Sequence, residues 1–175
     1  MIEITSPLTD DIIAGLKVGQ KVYLSGIIYT ARDAAHERIY NALKNGEDCG
    51  FDISGKTIYY AGPCPAKPGV PIGPIGPTTS GRMDMYTPFL IDYGLKVMIG
   101  KGIRNLDVKE AVKKNRAIYF AAIGGAAVVY MNCVKKAKIV TFEDLGTEAI
   151  RKLEVRQMPL IVALDIHGGD IYNKK

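Results

Sequence analysis

Three cations in this 175-residue chain sit where the backbone passes out of one regular element toward the next. Arg32 lies in "YTARDAAH", Arg82 in "GPTTSGRMD" and Lys101 in "IGKGI". With Thr30 as N-cap and Asp33 reaching back as a capping box, Arg32 falls in a first helical turn. With Thr79 or Ser80 as the cap, Arg82 does the same. A cation there faces the positive end of the helix macrodipole, an unfavourable placement by about 0.3–1 kcal/mol. A bound anion reverses the sign, because backbone N–H groups and a guanidinium then converge on one negative charge. The alternative is that each arginine turns outward and pairs with a neighbouring acid, Asp33 or Asp84. Lys101 is flanked by glycines, which let the backbone approach a ligand closely. Two arginines and a lysine are the complement that a small dicarboxylate requires.

The elements that must position these residues follow from periodicity. "KVYLSGIIYT" (21–30) is rich in β-branched and aromatic residues and predicts a strand. Ala35, Ile39, Ala42 and Leu43 recur at helical spacing, with Gly46 as a stop. Further strands are predicted at 56–62, 96–100, 116–123, 137–142 and 159–166. Helices are predicted at 83–93, 105–115, 125–134 and 146–155, the second with acids early and lysines late, as the macrodipole prefers. The alternation predicts an α/β fold with a mainly parallel, buried sheet. Ligands on such sheets bind where strands end and helices begin, which is where the cations lie. Residues 62–82, rich in proline and glycine, form the one long irregular segment and the expected functional loop.

Composition narrows the classes. The formal net charge is +5, and the densest basic cluster, "VKKAK" (134–138), is short and lacks interleaved aromatics. That pattern argues against nucleic-acid binding and fits a small anionic ligand equally well. Cys49, Cys64 and Cys133 form no C-x-x-C pair, and an odd count without an export signal argues against a disulfide framework. The weakly polar stretch 117–134 is interrupted by Gly124 and Gly125, so it reads as strand, turn and helix and not as a membrane span. A cytoplasmic location is the resulting expectation. Cys133 reads as a buried core residue; Cys64, between two prolines, is the thiol placed to reach a ligand.

Four segments in this order, "YLSGIIYTARDAAHERI", "GPTTSGRMDMY", "IGKG" and "FEDLGTEAIRKLEV", resemble the β subunit of class I (iron–sulfur) fumarate hydratases and of the related L(+)-tartrate dehydratases. The similarity runs from about Ile4 to Tyr172. It implies one domain over 1–175, equivalent to the C-terminal domain of single-chain relatives, with a swivelling β/β/α three-layer fold. It implies reversible hydration of fumarate to L-malate, or dehydration of tartrate, with a fumarase-type α subunit as partner. A [4Fe–4S] cluster would be carried by that α subunit and no metal by this chain; the assembly would be a dimer within a heterotetramer. Position by position, Arg32 and Arg82 resemble carboxylate-binding arginines, Lys101 a substrate-contacting lysine and Thr78 a catalytic base. A threonine hydroxyl is a weak base unless adjacent cations stabilise its alkoxide, so Thr78 as a mere hydrogen-bonding or capping residue stays open. Thr79 and Ser80 are then caps. His36, one turn beyond Arg32, would orient that arginine, donate a proton or simply pack, and Asp84 would orient Arg82 or satisfy the helix start. His167 reads as a solvent-exposed turn residue. Gly124 and Gly125 offer backbone N–H groups to the site or serve tight strand–helix packing. A dicarboxylate-binding module without chemistry is the competing class.

Overall fold

A computed structural model describes residues 1–173. Its strands are β1 (Ile2–Ser6), β2 (Lys21–Thr30), β3 (Thr57–Tyr59), β4 (Val97–Gly100), β5 (Ile118–Ala121), β6 (Val134–Thr141) and β7 (Ile150–Leu164). Its helices are α1 (Asp10–Gly15), α2 (Asp33–Lys44), α3 (Thr87–Asp92), α4 (Leu106–Asn115) and α5 (Ala127–Cys133), with 3-10 turns at Ser80–Met83 and Glu143–Glu148. The fold is mixed α/β with one seven-stranded sheet. β1 to β5 pair in parallel in chain order, and β7 runs antiparallel to β2, β5 and β6. Because β7 hydrogen-bonds β2 along most of its length and β5 at its end, the pairings β2–β3–β4–β5–β7 return to β2. The ring leaves edges only at β1 and β6, and edges are where sheets aggregate.

The strand sequences divide the interior in two, as alternating side chains require. Ile58, Tyr60, Met98 and Tyr119 pack with Ala35 and Ile39 of α2, Leu90 of α3 and Val108 and Val112 of α4. The intervening Tyr59, Val97, Ile99, Ile118 and Phe120 pack with Val22 and Leu24 of β2 and Leu153 and Val162 of β7. The parallel strands are thus covered on both faces, so they read as continuous apolar runs. Each fully buried aliphatic side chain in them contributes about 1.5–3 kcal/mol.

Two expected helices are corrected. Residues 146–155 do not continue as a helix: Gly146 (φ 59°, ψ −115°) breaks the turn and the chain enters β7 at Ile150. Ile150 and Leu153 mimic helical spacing, but both edges of this segment are claimed by β2 and β6, and sheet pairing overrides the local preference. The helix expected over 83–93 splits into the 3-10 turn Ser80–Met83 and α3, which starts at Thr87 with Pro88 in its first turn. β1 and α1 had no clear signal in the sequence.

Gly26 is a tight point where β2 meets β1. Its φ is +103°, and a Cβ there would strike the Ser6 carbonyl oxygen of β1. Gly19 has a similar φ of +84° but faces open space. Gly26→Ala is therefore expected to lower unfolding free energy by at least about 2 kcal/mol, and Gly19→Ala by only about 1 kcal/mol. Urea denaturation of both variants reads the difference; equal losses would contradict the close β1–β2 approach.

Candidate functional site

The carboxyl ends of β2, β3 and β4 meet on one side of the molecule, and the chain ties them together by backbone bonds. Ala31 N–H donates to Tyr59 O (3.1 Å) and Tyr60 N–H to Ile99 O (2.8 Å). The long loop leaves after Tyr60 and returns so that Thr78 N–H donates to that same Tyr60 O (2.7 Å). On its other side Ser80 N–H donates to Lys101 O (2.8 Å), and Thr79 bridges Lys101 in parallel. Thr78 to Ser80 are therefore inserted between the ends of β3 and β4. Buried Ile72 and Ile75 anchor the loop, and Tyr59 OH donates to Ile75 O (3.0 Å).

Arg32 and Arg82, 50 positions apart in sequence, meet at one carboxylate. Asp33 Oδ1 accepts from Arg82 Nε at 2.7 Å, and Asp33 Oδ2 lies 3.6 Å from Arg32 Nε. The Arg32 Nη2 lies 3.8 Å from Glu148 Oε1, beyond hydrogen-bond reach. Glu148 Oε2 accepts from Ala34 N–H (2.8 Å) and so supplies the cap of α2. Gly62 makes room for Arg32: a Cβ there would lie 3.3 Å from Arg32 Cδ and 2.9 Å from Thr147 O.

The capping expected from sequence is corrected here. Arg32 is itself the N-cap position of α2, without a side-chain cap bond. Thr30 Oγ1 turns instead to β7, accepting from Arg151 N–H (3.1 Å). Arg82 sits in the last turn of a 3-10 segment, ahead of α3, so no macrodipole opposes it. Pairing with a neighbouring acid was held open from sequence; Asp33 does lie beside Arg32, but Arg82 pairs with the distant Asp33 and not with its neighbour Asp84. What makes these arginines available is that their terminal nitrogens make no hydrogen bond among the described residues.

The three adjacent hydroxyls differ. Ser80 is buried, its Oγ 2.9 Å from Tyr119 OH, which also bonds Gly102 O at 2.9 Å. Thr79 is exposed and heads the 3-10 turn without a side-chain cap bond. Neither is the cap that was expected. Thr78 is half-buried, and its hydroxyl has no hydrogen-bond partner among the described residues. Lys101, also half-buried, has no ion pair there, and a Cβ on Gly124 would lie 4.0 Å from its Nζ. Gly124 thus borders the lysine from the end of β5.

Beneath lies a buried cation that sequence reasoning missed. The side chain of Arg104 is 0% exposed. It donates to Asp84 Oδ1 (2.6 Å), Thr87 Oγ1 (3.0 Å) and Tyr60 OH (3.4 Å), and lies over the rings of Tyr119 and Tyr60 at 4.8 and 5.3 Å. Burial works against the charge, yet Tyr60 and Asp84 hold the guanidinium's pKa above its ordinary value. Asp84 therefore does not orient Arg82; its second oxygen accepts Asn105 N–H at 2.6 Å. A useful sign in the sequence was the spacing of Arg104 two residues beyond "GKG", next to the N-cap Asn105 of α4.

His36 is also buried, 5.1 Å edge-on from Tyr60. Its Nδ1–H donates to Arg32 O at 2.8 Å, which leaves Nε2 as an unpartnered lone pair. It supports the Arg32 backbone and does not reach the shelf. Burial is the main force lowering its pKa, to about 4, and nearby Arg104 adds to it.

The cations lie on an open shelf. A cavity of about 400 Å³ opens alongside, lined by Pro63, Cys64, Ile72, Ile139, Thr147 and Arg151 among others, but none of Arg32, Thr78, Arg82 or Lys101 lines it. The exposed Cys64 belongs to that cavity. Cys133 is half-buried at the end of α5, its thiol pKa raised by burial. His167 Nε2 lies 3.1 Å from Ala14 O, away from the shelf. No group of three metal-ligating side chains comes together among the described residues. No described helix is long and apolar enough to cross a membrane.

A family model described as "Fumarase C-terminus" matches residues 1–175. The chain is 42% identical over 178 residues to a putative L(+)-tartrate dehydratase subunit beta of Methanocaldococcus jannaschii, covering 96% of this chain and 91% of that protein. It is 38% identical over 159 residues to fumarate hydratase 2 of Leishmania major and to the aerobic class I fumarate hydratase of Escherichia coli. Those matches cover 90% of this chain but only 28% and 29% of the two hydratases.

The buried imidazole carries a pH signature. Its folded pKa of about 4 lies below the ordinary 6.5, so the unfolded chain binds the extra proton between these values. The contribution is complete above pH ~6.5 and is lost as pH falls toward 4, a change on the order of 3 kcal/mol. His36→Phe, which keeps a ring against Tyr60, is expected to flatten the stability-versus-pH slope in that window by nearly one proton. Denaturant titrations at several pH values measure it, and an unchanged slope would contradict the neutral, buried state.

Proposed function

Because the chain belongs to the fumarase C-terminus family, we propose that it is the β part of an iron–sulfur hydro-lyase that hydrates fumarate reversibly to L-malate. The observation that carries this reading is the meeting of Arg32 and Arg82 at one end of a shelf whose other residues are Thr78 and Lys101. A C4 dicarboxylate needs cations for two carboxylates, and here they stand on rigid strand ends. The two separate cores, one under the helices and one against the antiparallel strands, support the three-layer swivelling β/β/α assignment over the whole of 1–175.

Hydration adds hydroxyl to one olefinic carbon and a proton to the next, and negative charge passes into the adjoining carboxylate. Arg32 and Arg82 bind carboxylate and stabilise that charge as it develops; the fixed donors need no rearrangement when the reaction occurs. Lys101 binds the ligand from the β4 side. The Thr78 hydroxyl, free of protein partners, carries the proton, with cations close by to support its ionised form. His36 and Asp84 act only through the backbone of Arg32 and through Arg104.

The open shelf is half of a pocket, and this chain spans less than a third of the hydratases it matches. An α partner closes it, by analogy with the Methanocaldococcus relative, which is named as a beta subunit. The assembly assigned is a dimer of this part within a heterotetramer, located in the cytoplasm. Cys49 and Cys64 lie in separate loops and Cys133 ends α5; the [4Fe–4S] cluster is assigned to the α partner on the family resemblance. When bound, such a cluster would supply a Lewis acid for the substrate's hydroxyl and carboxylate, while this chain's residues bind the ligand and move the proton. L(+)-tartrate is the second substrate candidate, favoured by the 42% identity to that relative.

In the enzyme assembled with its partner, Arg82→Met is expected to lower kcat/KM for fumarate by about tenfold or more, with the fold intact by circular dichroism. An unchanged kcat/KM would remove Arg82 from the site. Thr78→Ala is expected to lower kcat by about 10²–10⁴ if the hydroxyl moves the proton. A fall of less than about tenfold would leave Thr78 as a binding residue only.

A further inference from the structure

The arginines of this chain spend their nitrogens in different ways. Arg38 offers both terminal nitrogens in a fork to Asp144 (2.8 and 2.7 Å), and Arg151 gives its own to three backbone carbonyls. Arg82 is held only by Nε, which leaves both terminal nitrogens unused on a side chain 54% exposed. Arg32 shows a related pattern. Its buried Nε and the buried Asp33 Oδ2 face each other at 3.6 Å, and neither has a hydrogen-bond partner. One carboxylate thus addresses two guanidiniums from behind, one oxygen to each Nε.

We propose that Asp33 is a positioning residue for the shelf, resting on the reading of Arg32 and Arg82 as carboxylate binders. It grips Arg82 side-on and steers Arg32, so that the terminal nitrogens of both are presented to one carboxylate of the ligand. Two long, flexible cations of like charge would otherwise separate; a shared anion between them offsets that repulsion and reduces the rotamer freedom lost on binding. Asp33 is fixed for the task by its place in the first turn of α2, where the macrodipole also favours an acid. The 3.6 Å gap to Arg32 shortens to a hydrogen bond when a ligand carboxylate draws Arg32 forward into line with Arg82.

A simpler account makes the opposite prediction. If Asp33 were only a surface counter-ion, removing its charge would strengthen dianion binding, because the shelf would become more positive. Asp33→Asn, nearly isosteric, separates the two in the enzyme assembled with its partner. The positioning role predicts that KM for fumarate rises about tenfold while kcat changes far less, since loss of preorganisation weakens carboxylate binding first. It also predicts that in an Arg82→Met background the same substitution has a much smaller effect, which a general structural role would not produce. A lowered or unchanged KM, or full additivity with Arg82→Met, overturns it.

A readout on the isolated chain keeps the proposal separate from the assigned activity. The Arg82 Nε–H should exchange with solvent markedly more slowly than that of Arg156, an exposed arginine without a partner among the described residues, and Asp33→Asn should abolish the difference. Equal exchange in the unaltered chain overturns the proposal even if the assembled enzyme is active. Slow Arg82 exchange without activity toward fumarate or tartrate overturns the functional reading and leaves the geometry standing.

Discussion

The buried ion pair between Arg104 and Asp84 is the constraint on which the site depends. Asp84 ends the turn that carries Thr79 to Met83, and Arg104 follows Lys101 by three residues. Their 2.6 Å contact therefore pins the hydroxyl-bearing segment to the lysine-bearing segment. Removing one partner of such a pair leaves an uncompensated buried charge, at about 3–5 kcal/mol. The pair is also well served: Thr87 and Tyr60 accept from Arg104 Nη2, the Met98 sulfur lies 3.8 Å from Nη1, Asn105 N–H donates to Asp84, and two tyrosine rings flank the guanidinium. A network satisfied in this way rigidifies its neighbours, and its neighbours are the residues proposed to bind the ligand.

From that base the division of labour is by depth. Arg104, His36, Ser80 and Tyr119 are buried and spend their polar groups inward, with His36 Nε2 as the exception. Thr78, Arg82 and Lys101 are half-buried or exposed and have groups to spare. The same three consecutive hydroxyls obey the rule: Ser80 is buried against Tyr119, Thr78 is half-buried with its hydroxyl open, and Thr79 is exposed. The acids follow it too. Asp33 and Glu148 keep the local charge of Arg32 and Arg82 partly compensated without capping their terminal nitrogens by hydrogen bonds.

The sequence disclosed the elements and the site residues unevenly. Strands β2 to β5 and helices α2 and α4 were legible because apolar periodicity and chain-order pairing are local properties. The place of Arg32, Arg82 and Lys101 at element junctions followed from the same logic, whereas Thr78 was singled out only by the resemblance. β7 was misread in its first half because spacing alone does not reveal that two other strands claim its edges. The caps were misread for a similar reason: α2 is capped by Glu148, 114 positions from Ala34. Arg104 was missed because a lone arginine gives no sign of burial until Tyr60, just after β3, and Tyr119 of β5 are brought around it. The meeting of Arg32 and Arg82 on Asp33 is likewise a product of strand order. Only the resemblance, and then the family match over 1–175, connected that anion site with a hydro-lyase.

In the proposed function the shelf binds a C4 dicarboxylate and performs chemistry only when a partner covers it. The rate of fumarate hydration, followed as loss of double-bond absorbance, tests this most directly when measured on the chain alone and on the chain with its α partner. No turnover by the chain alone and sustained turnover by the pair are expected. Turnover by the chain alone, or none by the completed pair, would contradict the proposed function.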